Sequence, residues 1–286
     1  MNDFFKQITQ NFSDFFSSLD GFYPKEEIHS FYEILCEYFL GLSKTDLIVK
    51  SEKNLSESEL LKFHYALKEL KKNKPIQFIT GMQFFYNHEF KVNEHTLIPR
   101  PETEELVDLI IKENPNFEGN MLDIGTGSGA IAISLDKALI KSKVTAFDVS
   151  EKAIETAQLN NNEIDAKVEF QLQDILKPTY SGEFFDIIVS NPPYVLESEK
   201  KLMHPNVLEY EPHIALFVKD SDPLLFYKSI MNFCKKNLIK KGKLYFEINE
   251  KYGQETSLLL SENNFDEIQI IKDMQGKERI IKGIKN

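Results

Sequence analysis

Ile187-Ile188-Val189-Ser190-Asn191-Pro192-Pro193-Tyr194 is the stretch from which the rest of the chain can be read. Its start is continuously apolar and β-branched, the pattern of a strand buried on both faces. Pro192 and Pro193 then end that strand: neither has an N–H and each has a fixed φ, so the ladder cannot continue. The result is a stiff, extended turn at the carboxyl end of a buried strand, where ligands bind in an open α/β sheet. Asn191 offers a side-chain carbonyl, and the carbonyls of Pro192 and Pro193 are further acceptors. Tyr194 offers a ring face. These groups suit a planar –NH2, with two N–H donors meeting two carbonyls and a ring lying against the flat face. They include no nucleophile and no strong base. Taken alone, the four residues 191–194 fit a strand-ending turn with a core tyrosine equally well.

On either side of this strand the chain alternates. Strands are predicted over residues 120–124, 143–147, 168–172 and 243–248, with a terminal pair at 265–272 and 279–284. Helices are predicted over 130–139, from a Ser150 cap to 159, from an Asp222-Pro223 cap to 238, and over 254–260. Pro101 and Glu102 open a further helix. Such alternation predicts an α/β domain, a mostly parallel three-layer sheet, over residues 99–286. Residues 1–74 read as a small helical domain: Phe5, Ile8, Phe12 and Phe15/Phe16 recur at helical spacing, Gly41 stops a second helix opened by Pro24, and Ser56-Glu57-Ser58-Glu59 is a capping box. Pro75 ends that third helix. Residues 75–98 read as a β-hairpin linker, with Asn87-His88 and Asn93-Glu94 at its turns.

Asp123-Ile124-Gly125-Thr126-Gly127-Ser128-Gly129 lies between a strand and a helix. The glycines permit a tight turn and close approach of a ligand to the backbone. Their spacing is G-x-G-x-G, not the dinucleotide fingerprint. Asp123 would repel a pyrophosphate and suits a ligand with a cationic end. Asp148 ends the next strand and can accept from both hydroxyls of a ribose. Asp174 ends the third and can accept from an adenine amine. Each aspartate alone also fits a helix cap or a solvated loop charge. As a set they describe S-adenosylmethionine, which has an ammonium, a ribose diol and an adenine amine but no phosphate.

Composition narrows the setting. The 286 residues are 42% hydrophobic with a net charge of −11. An acidic chain is a poor non-specific binder of phosphate backbones. Lys71, Lys72 and Lys74, and Lys235, Lys236, Lys240, Lys241 and Lys243, are read as cations at helix C-termini. No apolar run is long enough to span a bilayer. Residues 1–6 lack the pattern of a signal peptide. Cys36 and Cys234 make no disulfide framework. The expectation is a cytoplasmic protein without membrane association. The six histidines show no metal-ligand spacing. Only Arg100 and Arg279 are arginines, beside 32 lysines, which marks both as positions needing a planar fork of donors.

These residues resemble the class I S-adenosylmethionine-dependent methyltransferases. More narrowly, the chain is similar to the HemK/PrmC family of protein N5-glutamine methyltransferases, which modify peptide-chain release factors. The resemblance rests on residues 96–104 (Thr-Leu-Ile-Pro-Arg-Pro-Glu-Thr-Glu), residues 123–129 and Asn191-Pro192-Pro193-Tyr194. Residues 75–81, 209–216 and the ending Asp273-Met274-Gln275-Gly276-Lys277-Glu278-Arg279 support it. It departs at residues 217–223, which lack the glycines usual there. The resemblance implies a Rossmann-like, mostly parallel seven-stranded sheet with an antiparallel C-terminal strand, behind an N-terminal helical domain that recognises the substrate. It implies S-adenosyl-L-methionine as cofactor, held by Asp123, Gly125, Thr126, Gly127, Gly129, Asp148, Asp174 and Asn191. The implied substrate is the glutamine of the Gly-Gly-Gln motif in class I release factors. Asn191, Pro192 and Tyr194 would be catalytic, with Pro193, Arg100 and Glu102 also at the substrate and no metal. Residues 98–104 would lie over the cofactor, with Arg100 paired to a carboxylate. Glu102 fits a helix-dipole role as well as a substrate contact. A monomer without direct nucleic-acid binding is the expected state. Two other readings share the tetrapeptide: a nucleic-acid amine methyltransferase of the adenine N6 type, which would need a basic approach surface, and an adaptor that binds without turnover.

Overall fold

A computed structural model describes residues 6–180, 182 and 184–286; Phe5 of the proposed first helical stripe lies outside the described residues. The chain divides into two compact units, residues 1–81 with 205–210, and residues 82–204 with 211–286.

In the helical unit, β1 (Lys6–Gln7) precedes α1 (Ile8–Leu19), α2 (Lys25–Leu40) and α3 (Lys44–Val49), and β2 (Asn54–Leu55) pairs antiparallel with β1. Next come α4 (Glu57–Leu70) and α5 (Ile76–Thr80). Ile8, Phe15, Leu19, Ile28, Leu35 and Phe63 form the aromatic and aliphatic core. Ser56 and Glu59 make the expected capping box on α4. Gly41 ends α2 in the left-handed region. Two local expectations shift. Pro24 is the residue before α2 rather than its first turn, and Pro75 opens α5 instead of ending α4, because proline's fixed φ suits a helix start.

The second unit begins with the hairpin β3 (Met82–Phe85) and β4 (His88–Lys91). Its turn is Tyr86-Asn87, one residue earlier than predicted, and both residues have positive φ, as a two-residue turn in a twisted hairpin requires. Residues 96–98, the end of the stretch read as a hairpin linker, form no strand. The elements that follow are α6 (Pro101–Glu113), β5 (Asn120–Ile124), α7 (Ala130–Ala138), β6 (Lys143–Asp148), α8 (Glu151–Glu163), β7 (Glu169–Leu172) and β8 (Phe185–Ser190). Beyond β9 (Val195–Leu196) and a short 3-10 turn (Glu197–Leu202) lies α9 (Pro205–Tyr210), which belongs to the helical unit, where the Tyr210 hydroxyl donates to the Lys72 carbonyl at 2.8 Å. The chain closes with α10 (His213–Leu216), β10 (Phe217–Val218), α11 (Leu225–Asn237), β11 (Leu238–Glu247), α12 (Gly253–Glu262), β12 (Phe265–Lys272) and β13 (Glu278–Lys285).

Seven strands make one sheet in the order β12-β13-β11-β8-β5-β6-β7. β11, β8, β5, β6 and β7 run parallel, and β13 is antiparallel to both its neighbours. Alternate residues of each central strand feed opposite cores. Met121, Ile187 and Val189 pack with α6 and α7, while Leu122, Ile124 and Ile188 pack with α11 and α12. That two-sided burial is why these strands read as continuous apolar runs. From β5 the chain moves one way through β6 and β7, then returns to β8 on the other side. The carboxyl ends of β5 and β8 therefore flank the topological switch point.

Two smaller expectations are corrected. Lys240, Lys241 and Lys243 lie in β11, not at a helix end. Asp222-Pro223 makes no side-chain cap, since α11 begins at Leu225, and Asp222 pairs instead with Lys228 at 2.6 Å. The glycine-free stretch 217–223 starts as strand β10, which pairs parallel with β9 just after the Asn-Pro-Pro-Tyr turn.

Candidate active site

A cavity of about 250 Å³ opens at the switch point. Gly125 and Gly127, Asp148 and Asp174, and Asn191, Pro192 and Pro193 all line it. Phe147, Ile175 and Ile230 supply an apolar surface of the kind a purine needs, and His95, Thr96 and Leu97 also line the cavity.

The cofactor side is built largely from main chain. Gly125, Gly127 and Gly129 all have positive φ, which lets the turn fold back on β5. The Asp148 carboxylate accepts the Gly127 N–H at 2.8 Å and the Ser150 N–H at 2.9 Å, so one side chain holds both the glycine turn and the start of α8. Burial raises the Asp148 carboxyl above its ordinary range, and the N–H groups of Ser150, Gly127 and Val149 oppose that rise. Asp174 lines the cavity while one of its oxygens accepts the Leu176 N–H at 2.9 Å. Asn160, fully buried in α8, donates to the Ser128 carbonyl at 2.8 Å and bonds both main-chain groups of Lys91, tying the glycine turn to the hairpin.

Not every expected cofactor residue reaches the cavity. Asp123, Thr126 and Gly129 are not part of the lining. Asp123 is fully buried, and neither its carboxylate oxygens nor the Thr126 hydroxyl has a hydrogen bond of normal geometry among the described residues. Burial pushes the Asp123 carboxyl up to about 7; the Asp148 carboxylate adds to this, and the nearby Thr126 hydroxyl and Ala132 N–H act against it. An orphaned carboxylate beside the turn is the kind of group a cationic ligand end would satisfy. Gly129 has a φ of +84°, where an L-residue is strained, and a Cβ there would stand 2.9 Å from Ile133 Cδ1 and 3.3 Å from Ala157 Cβ.

The amide side is built from side chains. Asn191 Nδ2 donates to Thr103 Oγ1 at 3.2 Å. Thr103, on the first turn of α6, donates to Glu247 Oε2 at 2.7 Å. The Tyr194 hydroxyl donates to Glu247 Oε1 at 2.9 Å and packs against the sheet core, outside the cavity lining. Arg279 donates to the Tyr194 oxygen at 3.5 Å and pairs with Asp273 at 3.1 Å. The Asn249 side chain donates to the Tyr194 carbonyl at 3.1 Å. Glu247 is 2% exposed, and burial raises its carboxyl, opposed by the Thr103 and Tyr194 hydroxyls and Arg279.

Arg100 and Glu102 stand outside the cavity. Arg100 pairs with the buried Glu211, which also accepts the Ile98 N–H at 3.1 Å. Glu211 thus holds residues 98–100 in place. Glu102 lies in the first turn of α6 and accepts from Gln275 at 3.4 Å. Thr103, Glu211, Glu247 and Asn160 were missed as functional residues. The available signal for Glu247 was a lone acid closing the aromatic strand β11, the same position that singled out Asp148.

The crevice, the sheet order and the asparagine-proline turn define a class I methyltransferase. A methyltransferase small domain model matches residues 102–209, and a PrmC N-terminal domain model matches residues 10–81. In fold the chain is similar to a methyltransferase from Pyrococcus furiosus, with a TM-score of 0.52 and 21% identity over 69% of this chain and 88% of that one. It is likewise similar to a 16S rRNA methyltransferase of T. thermophilus, with a TM-score of 0.51 and 17% identity over 72% of this chain and 50% of that one.

In sequence it is 49% identical to the release factor glutamine methyltransferase of Flavobacterium psychrophilum over 94% of this chain and 96% of that protein. It is 47% identical to the one of Bacteroides thetaiotaomicron over 92% of this chain and 95% of that protein. The Bacillus subtilis protein is 38% identical over 87% and 88%. The chain belongs to the release factor glutamine methyltransferase family.

Proposed function

We propose that this enzyme methylates the side-chain nitrogen of the glutamine in the Gly-Gly-Gln motif of a class I release factor, with S-adenosylmethionine as donor. The observation that carries the reading is the Asn191 side chain. Its nitrogen faces and donates to Thr103, so its carbonyl is the end that faces an incoming –NH2. Pro192, beside it in the lining, adds a main-chain acceptor on a rigid turn.

The bound cofactor would supply an electrophilic methyl group. Gly125 and Gly127 leave room for it at the turn, Asp148 would accept from its ribose hydroxyls, and Asp174 from its adenine amine. Asp123, from outside the lining, would stabilise its ammonium end electrostatically. Asn191 and the Pro192 carbonyl would each take one N–H of the substrate amide. That orients the amide nitrogen toward the methyl position and favours the positive charge that develops on it. Pro193 would shape the lip and Tyr194 would brace it from behind through Glu247. Arg100 and Glu102 act at one remove, by fixing residues 98–104. The proton leaves after transfer, so attack needs no base.

The helical domain read from residues 1–74 is assigned to recognition of the release factor, residues 75–98 to the link, and residues 99–286 to catalysis. Among the described residues no helix is long and apolar enough to cross a membrane. A cytoplasmic monomer meeting a soluble protein substrate is the setting proposed. The test is mass spectrometry of a purified release factor after incubation with the enzyme and S-adenosylmethionine. A gain of one methyl group on the Gly-Gly-Gln peptide is expected. No gain there, with RNA or DNA methylated in a parallel reaction, would move the chemistry to a base amine.

A further inference from the structure

Asn191 and Tyr194 of the Asn-Pro-Pro-Tyr turn, with Thr103 and Glu247, form a chain of hydrogen bonds whose donations converge on Glu247. Glu247 receives two hydroxyl donations, from Thr103 at 2.7 Å and from Tyr194 at 2.9 Å. A hydroxyl has a single proton. Once Thr103 has given its proton to Glu247, its oxygen can only accept from its other neighbour. That neighbour is the Asn191 carboxamide at 3.2 Å, and only the amide nitrogen can donate to it. The opposite flip of Asn191 would set its carbonyl oxygen against the threonine lone pairs.

We infer that Thr103 and Glu247 are positioning residues that select the flip of the Asn191 carboxamide, and with it the acceptor that faces the substrate amide. The inference rests on the proposed role of Asn191 toward an –NH2. In the opposite flip Asn191 would meet the substrate with a donor, two –NH2 groups would face each other, and the lip would reject the amide. The anchor is firm. Glu247 ends β11, which pairs with both β8 and β13. Thr103 and Glu247 are both buried, which shields the bond between them from water. Arg279, itself paired with Asp273, bears on the same carboxylate through Tyr194.

The relay can be reversed by design. In Glu247→Gln the new side chain accepts from Tyr194 through its carbonyl and donates to Thr103 through its amide, so the threonine hydroxyl turns toward position 191. An asparagine there then flips, whereas Asn191→Asp receives that hydroxyl and still offers an oxygen to the substrate. Expected, in methyl transfer to a release factor at saturating cofactor, is a loss in kcat of at least about tenfold for each single substitution. The double variant is expected to be more active than both singles. A double variant no more active than the better single overturns the relay.

If the unaltered enzyme methylates no release factor, the substrate reading fails by itself. The relay is then read from the Asn191 side-chain amide in a 15N–1H correlation spectrum, which also serves if the double variant does not fold. Resonances shifted by Thr103→Val and kept by Thr103→Ser support the relay; resonances unmoved by Thr103→Val overturn it.

Discussion

The two sides of the crevice are built on different principles. On the cofactor side a carboxylate holds main-chain N–H groups close by in sequence: Asp148 binds Gly127, 21 positions earlier, and Ser150, two positions later. On the amide side, side chains from four distant segments meet: Asn191 to Thr103 spans 88 positions, Thr103 to Glu247 spans 144, and Tyr194 to Arg279 spans 85. Gripping the cofactor needs a turn of given shape, which glycines and one acid can make locally. Discriminating a planar amide needs an acceptor pointed one way, and a side-chain amide has two nearly isosteric flips. Only a network with fixed donors and acceptors chooses between them.

If the two sides are separable, substitutions should split binding from turnover. The largest effect is expected for Asn191→Ala: kcat should fall by about 10²–10³, the scale of removing one oriented polar group from a reacting centre. Cofactor affinity by calorimetry should stay close to that of the parent, and a matching loss of cofactor binding would show that the sides are not separable. Asp148→Ala should do the reverse. Losing acceptors for a ribose diol costs about 1.5–3 kcal/mol, or about 10- to 100-fold in cofactor Kd, with kcat at saturation largely kept. Unchanged affinity would remove Asp148 from the ribose role.

A third substitution probes the local construction of the cofactor side. Gly129→Ala places a Cβ at φ +84° and within 2.9 Å of Ile133. A stability loss of about 1–2 kcal/mol in chemical denaturation is expected. A neutral result would mean that the turn tolerates an L-residue and that its glycine is not required.

The last test is read as a pH slope and concerns Asp123, which belongs to the cofactor side without lining it. Its carboxyl is held up to about 7, from an ordinary value of 3.8. Between those values the folded state binds more protons than the unfolded state, so stability falls as pH rises. The penalty grows from pH ~4 and is complete a little above pH ~7. Melts of the cofactor-free enzyme at a series of pH values should therefore show a negative slope that Asp123→Asn flattens. Equal slopes in both proteins would show that Asp123 is not the group responsible.

The fold was largely readable from sequence because its signals are local. Residues 120–124 and 185–190 read as strands since both their faces are buried, and β5 and β8 follow those boundaries. The glycine turn and the capping box of α4 were equally plain. The hairpin turn slipped by one residue because Tyr86 takes a positive φ that only the twist of the paired strands imposes. In the site, Asp148, Asp174 and the asparagine-proline turn stood out as polar groups at the ends of apolar strands. Glu211 and Glu247 did not, because an acid in a sequence looks solvated until its burial and partners are known.

By itself, then, the amino-acid order determined which segments are strands, where each stops, and which chemical groups stand at the stops. These depend on backbone restriction and periodic burial, which neighbouring residues settle among themselves. Only the tertiary structure decided that Asp123 is buried outside the lining, that Tyr194 braces the lip from outside the cavity, and that Thr103 and Glu247 aim Asn191. Burial and hydrogen-bond direction at those positions are set by residues dozens of positions away, brought together when β5, β8, β11 and β13 enter one sheet.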